Sequence, residues 1–264
     1  MKTFFFIVVL LSAVGFGWFS LRDFLRKKRF FNAEFPAAWE KILRRNLPEY
    51  SGFSASERAK LHFRIKEFLS TKTFEACGGL ARVSDEVALT IAGYASLLSM
   101  NRRGKAWATL HSVLVYPGAF SAPEEESETE SGLVERERGK RDGESWTHGS
   151  VVFSWQRITR DIALHGNGQN VIIHEFAHQL DSDDGITGGN PPFSSPADAE
   201  QWRLVAAREL KRLRSGDTGT VIDEYGAENP AEFFATSVEA FFGKPEAMKA
   251  AHPELYALLE KLFK

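Results

Sequence analysis

The chain has 264 residues, with 33 Lys and Arg against 35 Asp and Glu, a formal net charge of −2 and a single cysteine. That length carries one sizeable domain or two small ones, and 22 Phe with 6 Trp exclude a low-complexity chain. One cysteine excludes a disulfide scaffold or a cysteine-built zinc module; near-neutral charge argues against direct nucleic acid binding, so any metal site must be built from His, Asp and Glu.

Residues 4–21 read FFFIVVLLSAVGFGWFSL. They make about 18 residues without charge, about 27 Å as a helix, against a hydrocarbon core of roughly 30 Å. Arg22, Arg26, Lys27, Lys28 and Arg29 follow at once. By the positive-inside tendency, residues 1–30 are expected to form an N-terminal anchor and basic flank. This predicts a single pass through the inner (cytoplasmic) membrane with the C-terminal body in the cytoplasm. The alternative is a cleaved signal peptide and a secreted or periplasmic protein, although the basic run opposes translocation.

Ser54 and Glu57 form a capping-box pair, and Leu61, Ile65, Phe68 and Leu69 recur at helical spacing, so 55–70 is predicted to be an amphipathic helix. Ser84 precedes a second apolar helix over 85–99, with Gly78 and Gly79 marking the turn between them. Residues 112–116 (SVLVY) and 150–155 (SVVFSW) are strand candidates. Between them, 123–143 carries eight acids and four bases with almost nothing apolar, which predicts a charged surface loop insertion.

The second half reads as helical: Asn170 caps 171–181, Asp198 caps 199–213, Asn229 and Pro230 open 230–242, and Pro253 begins 253–263. A short sheet followed by helices predicts an α+β fold.

The chemistry concentrates in VIIHEFAHQLDS, residues 171–182. His174 and His178 are four apart, which on a helix sets both imidazoles on one face, able to grip one zinc ion. Glu175 lies about 100° round the helix, placed to take a proton without being a ligand. A metzincin-type third ligand would need a glycine and a further histidine where Asp181 and Asp184 stand. His252 lies far along the chain beside Pro253 and reads as a surface residue. A later helix offers carboxylates instead: in YGAENPAEFFATSVEAFF, residues 225–242, Glu228, Glu232 and Glu239 recur at spacings of four and seven. Glu228 reads as an end-of-helix surface group, Glu239 is open between that and a ligand, and Glu232, taken as mid-helix, is the strongest ligand candidate.

On HEFAHQLD, GESWTHGSVVFSW (143–155), VYPGAF (115–120) and YGAENPAEFFATSVEAFF, the sequence resembles the Mlc titration factor A family of bacterial zinc metallopeptidases of the gluzincin type. The resemblance runs from about Phe35 to the C-terminus. It implies a zincin-like metallopeptidase domain over 35–264, with a small sheet packed on helices and an active-site helix carrying HExxH. It also implies one Zn2+ held by His174, His178 and Glu232, with Glu175 as catalytic base and Tyr225 facing the site. The expected reaction is hydrolysis of a peptide or protein substrate. By analogy with other zincins, Glu144, Ser145 and Trp146 are the expected substrate-binding residues. A partner transcriptional repressor follows from the family, and so does the rival reading of a non-catalytic zinc-containing protein that sequesters such a repressor.

Overall fold

A computed structural model of the chain describes residues 15, 17–18, 21–22, 25–26, 28–102, 104–121, 140–141, 143–146, 149–182 and 188–264, with 120–121, 140–141 and 143–146 described by backbone. Helix α1 (Ala37–Asn46) leads through a 3-10 turn, Pro48–Gly52, to α2 (Ala55–Thr71). The capping box is formed as predicted: Ser54 Oγ accepts from the Glu57 N–H, and Glu57 accepts from the Ser54 N–H at 2.8 Å. Strand β1 (Thr73–Ala76) and α3 (Asp85–Ser99) follow. Twelve of the fifteen residues of α3 are buried, so it runs through the core with no solvent face, as an all-round apolar helix must.

The sheet has strand order β1, β2 (Ser112–Tyr116), β6 (Ser150–Ser154), β5 (Gly143–Trp146). The first three are parallel, and β5 runs antiparallel to β6 along the edge. Linking β1 to its parallel neighbour β2 requires a crossover, and α3 supplies it. The α+β expectation therefore holds with one β-α-β unit inside it. A two-residue pair, β3 (Phe120–Ser121) with β4 (Lys140–Arg141), shows that the predicted loop over 123–143 ends earlier than its composition suggests; residues 122–139 and 142 lie outside the described residues.

Strand β6 stops at Ser154, whose hydroxyl accepts from the Arg157 N–H and opens α4 (Trp155–Ala163), so Trp155 belongs to a helix and not to the predicted strand. Helix α5 is Val171–Asp181 and α6 is Pro196–Arg214. The cap of α6 is Ser195 and not Asp198: Pro196 takes the first helical position, and Asp198 supplies the first-turn N–H that Ser195 Oγ accepts. Asn229 and Pro230 open α7 (Pro230–Gly243) as expected, and a 3-10 turn, Glu224–Ala227, precedes it. Helices α8 (Pro245–Ala251) and α9 (Pro253–Phe263) close the chain.

The single-pass membrane placement is corrected. Among the described residues no helix is long and apolar enough to cross a membrane. Most of the 4–21 run from which the placement was read lies outside the described residues. Just beyond it, the chain is tied to the body by Lys66, a buried cation whose ammonium donates to the carbonyls of Phe31 (3.2 Å) and Ala33.

Candidate metal centre

All four N-terminal N–H groups of α5, which a helix cannot satisfy internally, have partners. Glu239 Oε2 accepts from Asn170, Asp161 Oδ2 accepts from Val171 at 2.9 Å, and Asn170 Oδ1 accepts from Ile172 and Ile173 at 3.0 and 3.1 Å. Phe176 anchors the inner face against Trp107, Phe68 and Phe153, with ring centroids 4.9, 5.7 and 6.1 Å away. Between Val171 and Asp181 only His174 and His178 are not buried. The hydrophobic pattern thus rotates the helix so that the two imidazoles alone meet the open side.

Helix α7 brings the carboxylates. Asn229 Oδ1 accepts from the Ala231 and Glu232 N–H groups at 2.9 and 3.0 Å, so Glu232 sits in the first turn, not in mid-helix, where the helix dipole favours an anion. Glu232 Oε2 stands 3.0 Å from His174 Nε2 and 3.3 Å from His178 Nε2, and the two nitrogens are 3.1 Å apart. Glu232 Oε2 is buried with no hydrogen-bond partner. The three atoms form a close triangle in which the carboxylate oxygen has no hydrogen bond of its own. Ligands about 2.0–2.1 Å from a tetrahedral zinc are spaced roughly 3.3 Å apart, so this triangle fits one face of such a site. Among the described residues, His174, His178 and Glu232 are the group able to hold a metal ion.

Behind the triangle, Glu239, two helical turns after Glu232, places Oε1 2.8 Å from His174 Nδ1, while Oε2 accepts from the Asn170 N–H. It is buried, which excludes the end-of-helix surface reading. Its bond to Nδ1 turns Nε2 of His174 toward the triangle. The electrostatics follow. Burial works against a charged His174, but Glu232, Glu239 and Glu175 outweigh it and raise the imidazole to about 10. Burial likewise pushes Glu232 up, and the two histidines pull it down to about 2. This pocket attracts positive charge strongly.

Glu175 is buried on the flank of the same helix. Tyr225, 46% exposed, holds its ring centroid 6.0 Å from that of His174, at the rim of the site. The backbone of Glu144, Ser145 and Trp146 pairs with Val152, Val151 and Ser150 on the edge strand; His148 lies outside the described residues. The residues at the metzincin positions and His252 have other places. Asp181 accepts from the Gly188, Gly189 and Asn190 N–H groups at 2.9, 2.8 and 2.6 Å, so it ties down a loop. Asp184 lies outside the described residues. His252 is buried, not on the surface, between Glu209 Oε2 (2.9 Å from Nδ1) and Thr220 Oγ1 (3.0 Å from Nε2).

The missed contributors are Glu239, Asp161 and Asp181. For Glu239 a signal existed: its spacing of seven from Glu232 puts both on one helix face. For the aspartates there was none, since their partners are backbone groups brought by the fold.

Comparison with known proteins gives the family. The description "Glucose-regulated metallo-peptidase M90" matches residues 21–264. An uncharacterized protein of Synechocystis sp. is 36% identical over 263 residues, covering 97% of this chain and 94% of the relative. Mlc titration factor A of Escherichia coli is 30% identical over 227 residues (83% and 82%), and that of Klebsiella pneumoniae 31% over 233 residues (85% and 84%). The chain belongs to the glucose-regulated metallo-peptidase M90 family, of the Mlc titration factor A kind that its motifs resemble.

Proposed function

We propose that residues 35–264 act as one zinc peptidase domain, with His174, His178 and Glu232 holding one Zn2+. The observation that carries this reading is the triangle of ligand atoms 3.0, 3.1 and 3.3 Å apart, containing a buried carboxylate oxygen with no hydrogen bond. When bound, zinc supplies the Lewis acidity that makes water a nucleophile near neutral pH.

The chain's own residues do the rest. Glu175 accepts the proton of the attacking water and returns it to the leaving amine. The Tyr225 hydroxyl donates to the developing oxyanion. Glu239 orients His174 from behind. An extended peptide adds to the outer edge of β5, where among the described residues no strand pairs, with Glu144, Ser145 and Trp146 as its contacts. Glu175→Gln is expected to retain zinc and lose turnover, measured as metal content by absorption spectrometry and as peptide cleavage. Full cleavage by that variant refutes the assignment.

The name carried by the Escherichia coli and Klebsiella relatives supports a second output, capture of an Mlc-like transcriptional repressor. In that reading zinc orders the fold and binding alone suffices. Retention of the cellular effect by Glu175→Gln selects it; loss selects proteolysis.

A further inference from the structure

The 3-10 turn that carries Tyr225 has four residues, too few for a hydrogen-bond ladder to hold it. Its position is set from outside, by three elements. At its start, Asp223 divides its carboxylate: Oδ1 accepts from the Tyr225 N–H at 3.0 Å, and Oδ2 accepts from Gln169 Nε2 at 2.9 Å. Gln169 immediately precedes Asn170, the cap of the metal helix, so this carboxylate links the tyrosine's own backbone to α5. At its end, Arg214 from the last turn of α6 donates Nε to the Ala227 carbonyl at 2.7 Å and Nη2 to the Glu228 carbonyl at 3.0 Å. In its middle, Gly226 is buried so closely on α7 that a Cβ there would collide with Thr236 Oγ1 and stand 3.3 Å from the Phe233 Cα.

The use made of Arg214 is distinctive. Its neighbours Arg208 and Arg212 pair with carboxylates, Glu254 and Asp217 respectively. Arg214 instead puts a rigid fork on two consecutive carbonyls, a geometry that fixes backbone and that a flexible point charge cannot reproduce. Nothing in this clamp touches the metal triangle, yet it joins the Tyr225 turn to α5, α6 and α7 at once.

We infer that Arg214 and Asp223 are positioning residues that hold the Tyr225 hydroxyl in register with the metal centre. The inference rests on the reading that this hydroxyl stabilises the oxyanion. Loss of either grip lets the turn shift, and a misplacement of about 1 Å costs roughly 10²-fold in rate.

The test uses the full chain loaded with zinc and four variants: Tyr225→Phe, Arg214→Met, Arg214→Lys and the double variant Arg214→Met with Tyr225→Phe. Cleavage of an internally quenched peptide library gives kcat and KM, calorimetry gives the affinity of a phosphoramidate dipeptide that mimics the tetrahedral oxyanion, and chelator competition gives zinc affinity. Tyr225→Phe is expected to lower kcat by roughly 10²–10³-fold. Arg214→Met is expected to lower kcat by at least tenfold and to weaken phosphoramidate binding by the same factor, with KM and zinc affinity unchanged. Arg214→Lys, keeping one bond, is expected to fall between. In the double variant Arg214→Met adds less than about threefold to the loss from Tyr225→Phe. The clamp is refuted if Tyr225→Phe is impaired while Arg214→Met keeps wild-type kcat, or if the two losses multiply. Wild-type kcat in Tyr225→Phe refutes the oxyanion role itself and the clamp with it. A thermal melt of each variant separates these results from unfolding, and Asp223→Ala, impaired where Asp223→Asn is not, repeats the test from the other end of the turn.

Discussion

Replacing Glu239 by Gln tests how far the proposed metal centre depends on a residue outside its His174, His178 and Glu232 triangle. The carboxylate accepts twice, from His174 Nδ1 at 2.8 Å and from the Asn170 N–H. A glutamine has one acceptor and one donor group. Whichever way its amide turns, an NH2 faces either the imidazole N–H or the backbone N–H, and one buried donor loses its partner. If the amide oxygen stays on Asn170, His174 is released to swing about its side-chain torsions and Nε2 leaves the triangle part of the time. Substitution of such a histidine partner lowers metal affinity by about 10–100-fold, equivalent to about 1.4–2.7 kcal/mol. The assay is chelator competition at pH 7.5, with the dissociation constant for zinc compared between wild type and Glu239→Gln. Equal constants within about twofold would show that Glu239 fills space without orienting His174, and the reasoning would fail. A loss as large as that of His174→Ala would fail it in the other direction, making Glu239 a ligand.

Two further outcomes concern the frame around the site. Asp181→Ala removes three bonds to backbone N–H groups from a fully buried carboxylate, two of them shared by Gly188 and Gly189. It is expected to lower stability to urea by about 3 kcal/mol; a change below about 1 kcal/mol would mean that water replaces the carboxylate without penalty. For Glu209, burial raises the carboxyl, but His252 and Arg208 outweigh it and hold the group below its ordinary value. A folded value below the unfolded one means stabilisation that is present above the ordinary carboxylate range, near pH 4.3, and is lost as pH falls through the lowered folded value. Thermal melts of Glu209→Gln should therefore differ most from wild type at neutral pH and converge as pH falls below the ordinary carboxylate range; a gap that widens on acidification would refute the assignment.

How much of this was readable from residues alone differs from element to element. The capping box at Ser54, the cap at Asn170 and the helical spacing of His174 and His178 were all plain, because each depends on contacts within four residues. For the same reason the boundaries of α2, α3, α5 and α9 were close to those observed. Strand β1 and the edge strand β5 were missed: four residues carry too short a pattern, and their pairing is with β2 and β6, distant in the chain. Asp198 is not the cap because Ser195 and Pro196 offer a better start three residues earlier.

The membrane placement was read from hydropathy and flanking charge alone, and among the described residues no helix supports it. His252 shows the opposite error. Placed on the surface by its proline neighbour, it is buried because Glu209 and Thr220, from 43 and 32 residues away, converge on both ring nitrogens.

The kind of chemistry follows from the local sequence, since a helix period of 3.6 puts two imidazoles on one face and an adjacent carboxylate beside them whatever the rest of the chain does. The geometry of the centre does not. That α7 crosses α5 so that Glu232 completes the triangle, that Glu239 reaches back to His174 two turns later, and that the Tyr225 turn is held between three helices are all consequences of packing. Glu239 reaches His174 from 65 positions away, and the turn is gripped by Arg214 from 13 and 14 positions away and by Gln169 from 54; a one-dimensional pattern carries no term for the distance between two helices.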